Sequence, residues 1–225
     1  MYTVIIPASG SGSRMGLGYN KLFHKISYRT IIEHTVAVFS NDIKCSQIII
    51  TARKDELFKM RDLFERRQRI EIVTGGSTRQ ESIVNALSHV REKVVLIHDG
   101  ARPFVTQSLI DSCYDIAEQG FSAIVAVSPK DTIKKRHPSR LDIVDRTLPR
   151  DELVCVQTPQ AFPTDVLQKA HQLAQYAGLE ATDDAMLVEN YIDIPVKIVE
   201  GDHRNIKFTT PDDIPYFEFL MEKRR

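Results

Sequence analysis

The chain has 225 residues, and its 30 Lys and Arg residues balance 30 Asp and Glu residues, so the formal charge is zero. A neutral total disfavours a dedicated nucleic-acid binder and a protein held on an anionic membrane. The length suits one large domain or two small ones, and 42% hydrophobic with 27% charged residues predicts a globular protein. Apolar runs reach only four or five residues, as at 94–97 and 123–127, so no membrane-spanning segment is predicted.

The N-terminus and the cysteines together predict a cytoplasmic protein. The first residues lack the basic start and long apolar region of a secretory signal. Cys45, Cys113 and Cys155 are odd in number, widely spaced and outside any metal-ligand spacing. We therefore expect reduced thiols rather than a disulfide or zinc framework.

Short β-branched runs alternate with segments of helical periodicity, an order typical of parallel strands joined by helical crossovers. The strand candidates are almost continuously apolar, as in a sheet covered on both faces. They lie at 3–6, 47–51, 70–74, 94–97, 123–127 and 196–199, and the helix candidates at 30–40, 54–67, 78–89, 106–119, 163–176 and 183–190. The pattern predicts an α/β fold with a mostly parallel twisted sheet flanked by helices.

Two helix starts carry clear signals. Thr78 and Glu81 have the spacing of a capping box. Thr210 precedes Pro211 and two acidic residues, which predicts the start of a C-terminal helix.

One segment, residues 129–153, interrupts the alternation of strands and helices. It is highly charged, with short β-prone patches at 132–133 and 141–144. Long insertions of this kind in a compact domain are usually functional or disordered. We consider two interpretations: a solvated hairpin, or a β-arm that contacts a second subunit or covers a site. No linker or repeat divides the rest, so a single domain over 1–225 with this arm is predicted.

The first strand is followed by a loop rich in Gly and Ser, residues 9–16, and then by Lys21. Small residues let backbone N–H groups approach an anion closely. Arg14 and Lys21 add fixed positive charge. The spacing excludes a Walker phosphate loop and a dinucleotide fingerprint, but the loop is still a candidate phosphate site, with a plain turn as the alternative.

Two further loops follow strands. The segment from Gly75 through Ser77 to Ser82 could hold a base or ribose, or be an ordinary strand-to-helix turn. Asp99 follows strand 94–97, where an acid can reach a phosphate–metal complex, and a single carboxylate suits Mg²⁺. Arg102 could grip a second anion, unless it only pairs with Asp99 to stiffen the loop. His98 is expected to be a packed histidine.

Several polar residues late in the chain are ambiguous on their own. Asp131 and Thr132 and then Arg150 flank the arm, Thr158 follows a short strand, and Lys207 precedes the terminal helix. A cap, a turn or a solvated surface would explain each of them equally well.

Eight ordered segments together resemble the 2-C-methyl-D-erythritol 4-phosphate cytidylyltransferases of the non-mevalonate isoprenoid pathway. They are ASGSGSRMG with Lys21, GGSTRQES, HDGARPF, DTIK, LPRDEL, VQTPQAF, TDDAMLVE and NIKFTTPDD. The resemblance implies a Rossmann-like nucleotidyltransferase fold. It also implies transfer of CMP from CTP to methylerythritol phosphate, with Mg²⁺ and release of pyrophosphate.

The resemblance also implies roles by motif position. The catalytic residues would be Arg14, Lys21, Arg150 and Lys207. The CTP contacts would be Ala8, Ser9, Gly10, Gly12, Gly75, Gly76, Ser77 and Ser82. The acceptor contacts would be Asp99, Arg102, Thr132, Arg150 and Thr158, with Asp99 also on the metal. The family is homodimeric, so Thr132 and Arg150 would act in the neighbouring subunit's site.

The chain departs from the family pattern at three points. Ser9 replaces a common alanine, Asn20 and Leu22 flank Lys21 where Pro and Gln are typical, and Gly100 replaces an alanine. The charged positions are unchanged. Two other functions remain as alternatives, a ribitol-5-phosphate cytidylyltransferase and a non-catalytic nucleotide-binding module. Fusion to a second enzyme is not expected at this length.

Overall fold

The computed structural model describes residues 1–10, 18–65 and 67–223. Its strands are β1 (Tyr2–Pro7), β2 (Lys25–Ile26), β3 (Arg29–Thr30), β4 (Cys45–Ala52), β5 (Ile70–Thr74), β6 (Val94–Ile97), β7 (Ser122–Val127), β8 (Lys134–His137), β9 (Arg140–Thr147), β10 (Cys155–Pro163) and β11 (Val196–Glu200). Its α-helices are α1 (Ile31–Ser40), α2 (Leu57–Phe64), α3 (Arg79–Leu87), α4 (Gln107–Glu118), α5 (Thr164–Ala177), α6 (Asp184–Tyr191) and α7 (Ile214–Glu222).

Seven strands form one sheet in the order β11-β7-β10-β6-β1-β4-β5. Strand β10 is antiparallel to both of its neighbours, and the other pairs are parallel. The chain runs from β1 outward to β5 and then returns to β6 on the other side of β1. This reversal creates a crevice between the carboxyl ends of β1 and β6, where open α/β sheets bind ligands.

Helices cover both faces of the sheet. Successive residues of each central strand point to opposite faces: Val4 and Ile6 enter one apolar cluster and Ile5 enters the other. The first cluster packs against α1, α2, α4 and α7, and the second against α3, α5 and α6. The expected mostly parallel sheet, covered on both faces, is confirmed.

The sequence predicted only a short strand ahead of Thr158, whereas β10 continues through Thr158 to Pro163. The extension was missed because this segment lacks the continuous apolar character of the parallel strands. It contains Gln157, Thr158 and Gln160, all buried, together with Pro159. The pairing register with β7 shifts between Val156 and Gln160. These polar side chains are tolerated in the interior because each of them forms hydrogen bonds to residues of a neighbouring segment.

The helix starts differ from the sequence predictions in detail. Thr78 caps α3 by accepting from the Glu81 amide at 3.1 Å, but the Glu81 carboxylate bonds to Ser77, so a reciprocal box at Thr78 was wrong. Thr210 does form a capping box, with Asp213, and the chain enters α7 through a 3₁₀ turn, Pro211–Asp213. Helix α2 is shorter than the predicted 54–67.

The arm contains an antiparallel hairpin of β8 and β9, which lies outside the main sheet. The predicted patch at 141–144 lies within β9, whereas β8 begins at Lys134, after the predicted patch at 132–133. Among residues 1–10, 18–65 and 67–223, no helix combines the length and apolar character needed to cross a membrane.

Candidate functional site

A cavity of about 500 Å³ opens at the carboxyl ends of β1 and β6. Its walls come from the segment after β1, the turn that carries Lys21, the loop before α3, the loop after β6, and the loop after β11. The lining residues are Pro7, Ser9, Gly10, Asn20, Lys21, Leu22, Gly76, Ser77, Thr78, Arg79, Asp99, Gly100, Ala101 and Lys207. The topological crevice thus brings together five separate segments of the sequence.

Asp99 is the centre of a small charged cluster. Its Oδ2 atom accepts from Lys207 Nζ at 2.9 Å and from Arg102 Nε at 3.2 Å. Burial alone would raise the pKa of this carboxyl, but Lys207 and Arg102 lower it well below its usual range. Asp99 is therefore ionised at neutral pH, and two cations surround one acid.

His98 is a packed histidine, as expected. Its side chain is fully buried, and burial lowers its pKa to about 4. The Asp99 amide donates to Thr158 Oγ1 at 3.0 Å, and the hydroxyl in turn lies 3.1 Å from His98 Nδ1. The Arg102 carbonyl lies 3.0 Å from Nε2 and can only accept, so the neutral ring carries its proton on Nε2. Nδ1 then accepts from the Thr158 hydroxyl.

Thr158 and Arg102 both brace the Asp99 loop from behind. Neither belongs to the cavity lining. Arg102 donates to the Asn205 carbonyl at 2.7 Å as well as to Asp99, and its side chain is 12% exposed. In this structure these two predicted acceptor contacts stiffen the loop that carries Asp99.

Ser82 lies under the loop before α3, and its hydrogen-bonding capacity is fully used. Its hydroxyl donates to the Thr78 carbonyl at 2.8 Å and accepts from the Gly76 amide at 3.0 Å. Ser9 Oγ lies 2.8 Å from Ser82 Oγ, and it must be the donor because the Ser82 proton is already committed. A Cβ atom on Gly75 would lie 2.7 Å from the Ser9 Cβ, so the two loops meet here without room for a side chain.

The predicted CTP contacts therefore divide into two groups. Ser9, Gly10, Gly76 and Ser77 line the cavity, whereas Ala8, Gly75 and Ser82 lie directly behind them. The Ser77 amide and hydroxyl bond to Glu81 at 2.7 and 2.6 Å. Gly12 and Arg14 lie outside the described residues.

Thr132 and Arg150 do not line the cavity of this subunit. Both are exposed and flank the hairpin of the arm. Arg150 donates to the Lys130 carbonyl at 2.9 Å. The structure of one chain therefore leaves these two residues apart from Asp99 and Lys21.

Arg79 is a cavity residue that the sequence reasoning missed. It bonds to the Asp184 carboxylate, which is 1% exposed and also accepts from His171 Nε2 at 3.0 Å. Burial would lower the pKa of Arg79, but Asp184 raises it, so the guanidinium stays charged. One signal was available: Arg79 is the first residue of α3, where the helix dipole disfavours a cation.

The residues around the cavity fit a divalent cation that arrives with a polyphosphate. Within the described ranges, no group of three or more His, Cys, Asp or Glu side chains is placed to hold a metal. Asp99 supplies a single carboxylate, and Mg²⁺ typically takes one or two carboxylates together with substrate phosphates. Asp99 is the described residue that would hold such an ion.

The fold and the cavity define a class: α/β proteins that bind phosphorylated ligands at a topological switch point. Comparison with known proteins then narrows this class. Residues 2–223 match the family model of 2-C-methyl-D-erythritol 4-phosphate cytidylyltransferase (IspD). The chain belongs to this family.

Individual relatives agree over nearly the whole length. The enzymes of that name from Bacillus velezensis and Bacillus cytotoxicus are 45% and 44% identical, with 98% and 100% of this chain and 96% and 100% of theirs covered. The crystal structure of 4-diphosphocytidyl-2C-methyl-D-erythritol synthase from Anaerococcus prevotii superposes with a TM-score of 0.87 at 30% identity, over 99% of this chain and 98% of that one. These matches confirm the Rossmann-like nucleotidyltransferase fold and the family.

Proposed function

We propose that the chain transfers CMP from CTP to 2-C-methyl-D-erythritol 4-phosphate, forming 4-diphosphocytidyl-2-C-methyl-D-erythritol and pyrophosphate in the non-mevalonate isoprenoid pathway. One structural observation carries the proposal: Lys21, Arg79 and Lys207 face a single cavity that also contains Asp99. A binding module would have little need for cations on both sides of the cavity. The reaction needs them, because it brings two polyanions together.

The chemistry is an in-line attack by the acceptor phosphate on the α-phosphate of CTP. Lys21 and Arg14 stabilise the negative charge that develops on the triphosphate, and Lys207 together with Arg150 orients the incoming phosphate. Asp99 holds the Lys207 ammonium at 2.9 Å. No covalent intermediate is required, and positioning with fixed positive charge supplies most of the catalysis.

The nucleotide would lie along the predicted CTP residues, with Ala8, Ser9, Gly10 and Gly12 on the phosphate side. Gly75, Gly76, Ser77 and Ser82 would face the base and ribose. Asp99 would hold Mg²⁺, which when bound supplies charge neutralisation of the triphosphate.

The arm would join two subunits into a homodimer, so that Thr132 and Arg150 complete the partner's site. Exposed apolar side chains in β9 support this arrangement, since Leu141 and Val144 are 64% and 54% exposed. Side chains of this type gain free energy when a partner covers them. The substrates are small molecules, and no part of the proposal requires nucleic acid or a membrane.

We place the protein in the cytoplasm. The observation in favour is that Cys45, Cys113 and Cys155 are free thiols. Thiols persist where the compartment is reducing.

A pyrophosphate-release assay with CTP and Mg²⁺ tests the function directly. Methylerythritol 4-phosphate and ribitol 5-phosphate are compared as acceptors at equal concentrations. We expect turnover with a clear preference for methylerythritol 4-phosphate. A preference for ribitol 5-phosphate would establish the alternative transferase, and CTP binding without turnover of either acceptor would favour the binding module.

A further inference from the structure

Asn20 is a buried polar residue next to Lys21. Asn20 is 2% exposed, and it forms the N-cap of the 3₁₀ turn Lys21–Phe23. The position departs from the family pattern, and the proposed function assigns it no role. A buried amide must have its hydrogen bonds satisfied, so its partners show what it holds together.

The side chain of Asn20 makes three hydrogen bonds to three separate segments. Its Nδ2 atom donates to the Ala8 carbonyl and to Glu56 Oε2, both at 2.9 Å. Its Oδ1 atom accepts from the Leu22 amide at 3.1 Å. A flipped amide would place oxygen against two acceptors, so this assignment is the one that satisfies every partner.

These partners tie the turn that carries Lys21 to the strand and the helix beside it. Ala8 follows β1 and is fixed to β4 by its own amide, which donates to the Thr51 carbonyl at 2.8 Å. Glu56 is the N-cap residue of α2. Leu22 lies in the turn that begins at Lys21. The Asn20 amide therefore joins the end of a central strand, a helix start and the lysine-bearing turn.

We infer that Asn20 is a positioning residue that sets the Lys21 ammonium against the bound triphosphate. The inference rests on the proposed function, in which Lys21 stabilises the charge that develops on that triphosphate. Glu56 fixes the orientation of the Asn20 amide. Displacements of about 1 Å at a reacting centre can cost roughly 100-fold in rate, so an anchor of this kind has a measurable value.

The main test is a double-mutant cycle with Asn20→Ala and Lys21→Ala, measured by pyrophosphate release. Asn20→Ala alone should lower kcat by about tenfold and change the KM for CTP much less. In the Lys21→Ala background the same substitution should have almost no further effect, because the residue through which it acts is gone. An equal loss in both backgrounds, or no loss in the first, would overturn the positioning role.

Glu56 supplies a second series that does not require changing Asn20. Glu56→Ala removes one of the two acceptors of the Asn20 amide and should lower kcat about threefold, whereas Glu56→Gln keeps an acceptor oxygen and should restore most of the rate. Asp55→Ala is the matched control, because Asp55 is exposed and pairs with Arg53 rather than Asn20. Equal losses in Glu56→Ala and Glu56→Gln would contradict the acceptor role.

Hydrogen exchange separates this inference from the proposed function. The Leu22 amide should exchange faster in Asn20→Ala than in the wild type, with the central strands unchanged. If the wild type released no pyrophosphate, the proposed function would fail, and the exchange rate would still decide whether Asn20 holds the turn. Unchanged protection of Leu22 would refute the inference whatever the activity.

Discussion

Strand β9 in the arm and strand β10 in the sheet have similar lengths but opposite environments. All eight residues of β9 are exposed, while the central six residues of β10 are buried. The buried glutamines and threonine of β10 have hydrogen-bond partners in neighbouring segments, as Thr158 has in His98 and Asp99. In β9, apolar side chains such as Leu141 and Val144 face solvent instead.

The difference shows how each region obtains its stability. Strand β10 is held by two neighbouring strands and by its hydrogen bonds to the cavity loops. Among the described strands, β8 and β9 pair only with each other, and an isolated two-stranded hairpin is marginally stable in water. We therefore expect substitutions at the cavity to act on one subunit, and substitutions in the arm to act on assembly.

The largest effect is expected at the cavity, from Lys21→Ala. Loss of a cation that stabilises developing charge should reduce kcat by about 100- to 1,000-fold. Pyrophosphate release gives the rate, and thermal unfolding shows that the fold is retained. Lys54→Ala, at an exposed lysine, is the control and should turn over normally. Near-normal turnover in Lys21→Ala would contradict its proposed role.

Removal of one acidic side chain near the cavity and one in the arm compares how much each region contributes to the free energy of unfolding. Asp184→Ala leaves Arg79 without its buried partner and should lower the free energy of unfolding by about 3 kcal/mol. Asp145→Ala in β9 removes an exposed carboxylate and should change it by less than about 0.5 kcal/mol. Urea unfolding measures both, and similar losses would show that the arm is as tightly coupled to the fold as the cavity.

His98 makes the stability of the cavity region depend on pH. Its pKa falls from 6.5 to about 4 on burial, so between these values the unfolded chain binds a proton that the folded chain does not. Stability is therefore lost as the pH falls from 6.5, by about 3 kcal/mol at pH 4.

His98→Gln should flatten the pH dependence of the unfolding free energy between pH 6.5 and 4, measured relative to the wild type. The carboxylates of Asp99 and Asp184 affect the unfolding free energy at lower pH than His98 does. The pKa values of Asp99 and Asp184 are lowered in the fold, so their contribution is lost only as the pH falls below about 3.8. Identical pH profiles for variant and wild type would show that His98 titrates normally.

The smallest effect on the fold is expected from Leu141→Asp combined with Val144→Asp. Both side chains are exposed in one subunit, so the unfolding free energy of the monomer should change by less than about 0.5 kcal/mol. Sedimentation should nevertheless show a shift from dimer to monomer. A wild type that sediments as a monomer, or a variant that still dimerises, would break the proposed link between the arm and assembly.

The parallel strands and the helices could be predicted because a local pattern of residue types was sufficient to identify each element. Short β-branched runs predicted β5 and β6 with the observed boundaries, and helical periodicity predicted α1 to within one residue. Strand β10 had no such signal. Its buried glutamines and threonine depend on partners that are more than twenty residues away, as Gln160 depends on Asp183 at 2.7 Å.

The candidate site could be predicted only in part for the same reason. Motifs identified Lys21, Asp99 and Lys207, which the structure brings to one cavity. They did not reveal that the hydroxyls of Thr158 and Ser82 form hydrogen bonds to neighbouring loops. They also did not reveal that Asn20 anchors the turn of Lys21. Arg14 and Gly12 remain predictions.

The sequence by itself determined the α/β class, the alternation of strands and helices along the chain, and the family. Periodicity and motif spacing are local properties of the chain, so they can be recognised without the fold. Only the tertiary structure decided which polar side chains face the cavity and which support it from behind. That choice depends on hydrogen-bond partners between residues as distant as Arg79 and Asp184. Each hydroxyl or amide has few bonds to make, and the fold determines where they go.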